Sequence, residues 1–166
     1  MTSRIGSHNV WATDNWDVYG QFSLTGDWIR SKRLNLEMVI NAGVRTVLYD
    51  GDADYIGNYI GFEAMVRVLC FLTVRLGLCT DSTTTTMQID SLNTVFSHLY
   101  AKQNFATYRV KGKPAGLYKN AGTFSYLRVF GAGHKAPAYL WRGVHRGAAT
   151  LQMFSQIMSD NPLSST

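Results

Sequence analysis

The fold is decided by the stretch Val44-Arg45-Thr46-Val47-Leu48-Tyr49-Asp50-Gly51-Asp52-Ala53-Asp54, in which an apolar run ends in three carboxylates around a glycine. The first part, Val44–Tyr49, predicts a short β-strand with apolar residues on both faces. Strands that bury both faces belong to parallel sheets covered by helices. In such α/β folds, ligands bind at the carboxyl ends of the strands, which is where Asp52 and Asp54 would stand.

The surrounding sequence predicts alternating helices and strands, and therefore an α/β domain. A helix over Leu34–Ala42 precedes the first strand and ends at Gly43. Downstream patterns predict helices over Asn58–Val66, Ser91–Lys102 and Val144–Met158, and strands over Ala106–Lys111, Ala115–Lys119 and Phe124–Phe130. In the last helix the residues that share one face are Ala148, Leu151, Phe154 and Met158.

The composition is that of a folded globular chain. Of the 166 residues, 46% are hydrophobic and only 16% are charged, which excludes a disordered, collagen-like or coiled-coil chain. A chain of this length buries roughly 68–70% of its unfolded surface, so one core can form without disulfides. The same length is too short for a large enzyme with lids and insertions.

Charge and cysteine placement argue against several classes of function. The net charge is +5, but the cations are scattered with no run longer than two, so we expect a mildly basic surface and no nucleic-acid partner. The apolar run Val66–Cys79 is short and contains Arg67 and Arg75, so we expect no membrane span. Neither Cys70 nor Cys79 stands in a metal-ligand pattern, and the first residues do not predict a signal peptide.

Two predicted strands end in loops that carry acid–base groups. Asp52 and Asp54 follow the first strand, and His134 follows the last strand on a glycine-rich loop. An imidazole titrates near neutral pH, and a carboxylate bound to its far nitrogen would fix its tautomer. The acid precedes the histidine, as in the α/β-hydrolase order of nucleophile, acid and histidine. The residues alone leave open a solvated turn for the carboxylates and a structural role for the histidine.

Two motifs carry a resemblance to one enzyme family. Both Thr46-Val47-Leu48-Tyr49-Asp50-Gly51-Asp52-Ala53-Asp54-Tyr55-Ile56-Gly57-Asn58 and Phe124-Ser125-Tyr126-Leu127-Arg128-Val129-Phe130-Gly131-Ala132-Gly133-His134 resemble catalytic segments of serine carboxypeptidases. The stretch from Val18 to Val66, and again from about Asp90 to the end, resembles the C-terminal third of a fungal enzyme of this family. The resemblance implies a partial α/β-hydrolase fold, comprising the C-terminal portion of the sheet with its flanking helices.

The same resemblance implies a role for individual residues. Asp54 would be the catalytic acid, His134 the general base and Asp52 a supporting residue. Ile56 and Gly57 would lie beside the pocket for the residue that precedes the scissile bond, and Lys135 toward the pocket for the leaving residue. The implied substrates are peptide or protein C-termini, with no cofactor and no metal. The family suggests a vacuolar or secreted enzyme.

One element of the family pattern is absent from these 166 residues. The family's nucleophilic serine stands in Gly-Glu-Ser-Tyr-Ala-Gly, whereas no Gly-x-Ser-x-Gly occurs here. We therefore expect a C-terminal fragment of a catalytic domain that is inactive alone, with a complementary N-terminal part of the same enzyme as its partner. The alternative is a non-enzymatic remnant or a binding module.

The segment 67–89 is a second departure from the family. Removing it would join Ala64-Met65-Val66 to Asp90-Ser91-Leu92-Asn93 in a continuous helical pattern. We hypothesise an atypical insertion at 67–89, with a retained in-frame intron and a genuine insertion as the two alternatives.

Overall fold

A computed structural model describes residues 15–27, 30–66 and 92–166 of the chain. The chain divides into two units, residues 1–32 and residues 33–166. In the first unit, helix α1 spans Trp16–Leu24, and the Asn15 side-chain oxygen accepts hydrogen bonds from the backbone N–H groups of Asp17 and Val18. The hypothesised insertion at 67–89 lies outside the described residues.

The second unit contains a four-stranded sheet with flanking helices. Its elements in chain order are α2 (Arg33–Asn41), β1 (Thr46–Gly51), α3 (Tyr59–Val66), α4 (Ser97–Lys102), β2 (Ala106–Val110), β3 (Lys113–Ala121), β4 (Phe124–Val129), a 3₁₀ turn (Ala136–Ala138) and α5 (Ala148–Met158). No helix in the described ranges is both long enough and apolar enough to cross a bilayer.

The strand order places the two motif-bearing strands side by side. The sheet runs β1-β4-β3-β2, with β1 parallel to β4 and β3 antiparallel to both of its neighbours. Thr46 lies opposite Phe124, and Gly51 lies opposite Val129. This mixed sheet confirms the predicted α/β class and is consistent with part of an α/β-hydrolase sheet. Because β1 and β4 are parallel, the loops that follow them leave the sheet at the same edge.

Strand β4 is buried on both faces, in keeping with the four aromatic or aliphatic residues among its six. Phe124 and Tyr126 pack on one side with Ile40 of α2 and Tyr100 of α4. Side chains that alternate with them along β4 pack on the other side against α5, and this second cluster includes Leu127, Val129, Ala149 and Met153. The sheet therefore separates two small cores.

The predicted strands agree with the structure to within about two residues, but two helices begin later than expected. Helix α4 begins at Ser97 instead of Ser91. The preceding segment is held by side chains of α2: Asn93 N–H donates to Glu37 Oε1 at 2.6 Å, and Val95 N–H donates to Asn41 Oδ1 at 2.8 Å. The Val95 N–H is therefore taken up by Asn41 and does not make the helical bond that an α4 starting at Ser91 would require of it.

Helix α5 differs from the prediction in both its start and its buried face. Trp141 and Val144 form an isolated antiparallel bridge, and Gly147 has a φ of +73°, so the helix begins at Ala148 instead of Val144. The predicted shared face is exposed in the structure: Leu151, Phe154 and Met158 retain 66%, 56% and 70% of their accessibility. The residues that face the sheet are Ala149, Thr150 and Met153.

The end of β1 also differs from the prediction. Asp50 and Gly51 were expected in the acidic loop, but both belong to β1 and both are buried. The pairing of Gly51 with Val129 extends the strand, because a parallel neighbour supplies hydrogen-bond partners as far as β4 continues.

Candidate active site

The loops that follow β1 and β4 are joined by backbone hydrogen bonds. Asp52 N–H donates to the Val129 carbonyl at 3.0 Å, and Ala53 N–H donates to the Ala132 carbonyl at 2.9 Å. The Asp52 side chain adds a third bond, because its Oδ1 accepts from Gly131 N–H at 2.6 Å. The Asp52 carboxylate therefore attaches the end of β1 to the beginning of the histidine loop.

Two glycines stand where a side chain would collide with the surroundings of these loops. A Cβ at Gly51 would lie 2.1 Å from the Ala132 carbonyl oxygen, which is backbone and cannot turn away. Gly131 has a φ of +62°, and a Cβ there would lie 2.2 Å from the Trp141 ring. At Gly131 a side chain would have neither enough space nor a favourable φ. At Gly51 a side chain would collide with the Ala132 carbonyl, so the close approach of these two segments requires glycine.

Asp54 and His134 form a hydrogen-bonded pair across the two loops. The distance from Asp54 Oδ2 to His134 Nδ1 is 3.0 Å. The other carboxylate oxygen accepts from the backbone N–H groups of Ile56 at 2.9 Å and Gly57 at 3.1 Å. Desolvation would raise the pKa of Asp54, but the bonds from Gly57, His134 and Ile56 outweigh it and lower the pKa below its ordinary value of 3.8. The aspartate is thus held in its ionised form.

The two members of the pair differ strongly in exposure. The Asp54 side chain keeps 9% of its accessibility, whereas the His134 side chain keeps 73%. Because the carboxylate accepts from Nδ1–H, the neutral imidazole presents an unprotonated Nε2. In the part of the chain that the structure describes, Nε2 has no hydrogen-bond partner. The arrangement is therefore that of an oriented base with an accessible nitrogen.

The remaining predicted site residues lie around this pair. Ile56 and Gly57 contact Asp54 through their backbone, while the Ile56 side chain is 82% exposed. The neighbouring Tyr55 is 94% exposed, so two apolar side chains project from the loop beside the carboxylate. Lys135 follows His134 directly and is exposed. No group of three or more His, Cys, Asp or Glu side chains in the described ranges could hold a metal ion.

A buried carboxylate beside the site was not predicted from the sequence. Asp50 is 6% exposed, and its Oδ1 accepts from the Tyr126 hydroxyl at 2.9 Å. Its Oδ2 has no hydrogen-bond partner among the described residues. Burial raises the pKa of Asp50 to about 6, with the Tyr126 hydrogen bond opposing the rise and Glu63 adding to it. Asp50 is therefore a weaker acid than Asp54, only four positions away.

A second pair of charges lies on the same side of the sheet as Asp50. Arg128 Nη1 donates to Glu63 Oε1 at 2.9 Å, and the guanidinium lies 4.5 Å from the centre of the Tyr59 ring. Arg128 is the register partner of Asp50, and Tyr126 stands two positions before it on β4. The period of two along β4, which places Tyr126 and Arg128 on one face, is the sequence signal that could have indicated this cluster.

Comparison with known proteins matches most of the chain to one family. The model of the family "Serine carboxypeptidase" matches residues 3–160. Carboxypeptidase S1 of Penicillium janthinellum is 32% identical over 148 residues, which are 89% of this chain and 28% of that protein. Carboxypeptidase Y of Komagataella phaffii is 28% identical over 74% of this chain and 19% of its own length. A vacuolar serine-type carboxypeptidase of Saccharomyces cerevisiae is 26% identical over 93% of this chain and 25% of its own length. The chain thus spans about a fifth to just over a quarter of these relatives.

Proposed function

Because this chain belongs to the serine carboxypeptidase family, we propose that it supplies the acid and the base of a serine-type carboxypeptidase. Such an enzyme hydrolyses C-terminal peptide bonds through an acyl-enzyme. The observation that carries the proposal is the Asp54–His134 pair, 3.0 Å apart at the ends of two parallel strands. The substrates would be peptide or protein C-termini.

The two residues have complementary roles in this reaction. His134 Nε2 takes the proton from a serine hydroxyl as the oxygen attacks the peptide carbonyl, and it returns a proton to the leaving amine. Asp54 holds the imidazole with Nδ1–H inward and stabilises the imidazolium that forms. The Ile56 and Gly57 N–H groups keep Asp54 ionised, so the carboxylate does not compete for the proton.

The nucleophile has to come from sequence outside these 166 residues, which contain no Gly-x-Ser-x-Gly. The shares of 19% to 28% of the relatives' lengths support this reading. We expect that a labelled fluorophosphonate does not modify the isolated chain, because its sequence lacks the Gly-x-Ser-x-Gly motif in which the nucleophile would stand. A vacuolar or secreted location is supported by the name of the vacuolar relative in Saccharomyces cerevisiae.

A chimeric enzyme tests the proposal. The 166 residues would replace the region of carboxypeptidase S1 from Penicillium janthinellum that matches 148 of them, 28% of that protein, and the rest of that protein would be retained. We expect the chimera to release the C-terminal residue of a blocked dipeptide and to be labelled by a fluorophosphonate. His134→Ala should lower kcat by about four to six orders of magnitude, and Asp54→Asn by about four.

The matched control is His98→Ala, because His98 is an exposed histidine on α4, outside the proposed site. This variant should keep the activity of the unmodified chimera. A chimera that folds, as judged by circular dichroism and cooperative unfolding, but hydrolyses no peptide would contradict the proposal. That result would favour the non-enzymatic remnant.

A further inference from the structure

We propose that a pocket beside the N-terminal end of α5 binds a small amphipathic carboxylate, a ligand with one anionic head and an apolar body. The pocket, called the basic pocket below, lies between the turn that joins β2 to β3, the loop 143–147 and the first two turns of α5. Its volume is about 720 Å³. The pocket is open to solvent on one side, and its volume lies within the range of small-molecule sites.

The floor of the basic pocket is apolar. Val110 and Val144 form its inner part and are 8% and 6% exposed. Ala148 and Leu151 of α5 line it from the side, and Leu151 keeps 66% of its accessibility because nothing among the described residues covers it. A hydrocarbon body placed here would remove apolar side-chain surface from water.

The rim of the basic pocket carries only positive side-chain charge. Lys111, Lys113 and Arg146 line it together with His145, and no acidic side chain does. The first turn of α5, which contains no acidic residue, adds the positive end of the helix dipole. Two polar groups of the rim already have partners: Lys113 Nζ donates to the Gly143 carbonyl at 3.0 Å, and the Thr166 main-chain oxygen accepts from Gly112 N–H at 2.6 Å.

The two parts of the lining together define the ligand class. A free inorganic anion would leave the apolar floor in water, and a neutral hydrocarbon would give Lys111 and Arg146 no anion to bind. An amphipathic carboxylate satisfies both, since a charged head is attracted by the rim and an apolar tail fills the floor. None of Asp54, His134 and Lys135 lines the basic pocket, so this inference does not rest on the proposed catalytic role.

The test is titration of the full chain with decanoate below the concentration at which it forms micelles, followed by calorimetry and by NMR shifts of backbone amides. We expect saturable binding with shifts at residues 110–113 and 143–151. Decanol, with the same tail and no charge, and acetate, with the charge and no tail, should each bind about tenfold more weakly. Arg146→Glu should weaken decanoate binding about fivefold.

The matched control is Lys102→Glu, the same change of charge at an exposed lysine on α4 that does not line the basic pocket. This variant should bind decanoate like the unmodified chain, and circular dichroism should show that both variants fold. Equal weakening by the two variants would overturn the proposal, as would decanol binding as tightly as decanoate. The second result would make the pocket an apolar contact surface for a protein segment.

Discussion

The buried carboxyl of Asp50 makes a quantitative prediction about stability and pH. Its pKa is about 6 in the folded chain, against an ordinary value of 3.8. The folded state therefore holds a proton in the window between these values, where the unfolded state has lost it. Because the folded state binds more protons, the free energy of unfolding falls as pH rises from about 4 to about 6 and is level above that window.

The size of this loss follows from the difference between the two values. Each tenfold change in proton affinity corresponds to about 1.4 kcal/mol, which sets an upper limit of about 3 kcal/mol. The expected loss between about pH 4 and about pH 6 is therefore about 2–3 kcal/mol. Asp50→Asn keeps the acceptor for the Tyr126 hydroxyl but has no proton to lose, so this variant should lack the decline.

The assay is urea unfolding of the unmodified chain and of Asp50→Asn from about pH 3 to about pH 8. The contribution of Asp50 is the difference between their free energies of unfolding at each pH. Other titrating groups change the free energy of unfolding of both proteins equally, so their contribution cancels in the comparison. Tyr126→Phe provides a second check, because removal of the hydroxyl that lowers the pKa of Asp50 should move the decline to higher pH. If the unmodified chain and Asp50→Asn showed parallel pH dependence, Asp50 would not be a proton-binding group of the folded state.

Three further outcomes are expected. Gly51→Ala should destabilise the chain by about 2–4 kcal/mol, seen as a fall in Tm, because the new Cβ would meet the Ala132 carbonyl oxygen; an unchanged Tm would contradict the close approach of the two loops. In the chimera, Lys135 should favour peptides that end in Asp over peptides that end in Leu, since its charge attracts an acidic side chain, and Lys135→Met should reverse the ratio of kcat/KM; identical ratios would refute this assignment. Transcript sequencing across the codons for Val66 and Asp90 should show a spliced mRNA that joins them if segment 67–89 is a retained intron, and an abundant transcript that keeps the segment would reject the intron.

Local pattern predicted most of the strands. Val47 and Leu48 indicate β1 by apolar character on both faces, whereas the alternating, aromatic sequence Phe124–Phe130 indicates β4. In the structure both strands contribute side chains to the clusters on the two faces of the sheet, but β1 is only half-buried from Thr46 to Leu48 and exposes Tyr49. Strands can be predicted from local sequence because the alternation of side chains along a strand depends only on neighbouring residues.

Helix ends and helix faces were less predictable because distant groups decide them. The start of α4 depends on Glu37 and Asn41, which capture the N–H groups of Asn93 and Val95 more than fifty positions away in the sequence. The buried face of α5 depends on which side of the helix meets the sheet. The apolar stripe that contains Leu151 is visible in the sequence, but the sequence does not show whether another part of the protein covers it.

The three carboxylates at the end of β1 show what the sequence determines and what the tertiary structure determines. The sequence by itself determined that Asp50, Asp52 and Asp54 stand at the carboxyl end of a strand in a serine carboxypeptidase motif. Their spacing of two makes them equivalent on an extended strand, but β1 ends at Gly51 and the chain turns after it. The tertiary structure therefore buries Asp50 beneath the Tyr126 hydroxyl, binds Asp52 to the histidine loop and places Asp54 on the imidazole. The difference arises because β4 and the loop that follows it, nearly eighty residues later, supply the three partners: Tyr126 from the strand, and Gly131 and His134 from the loop.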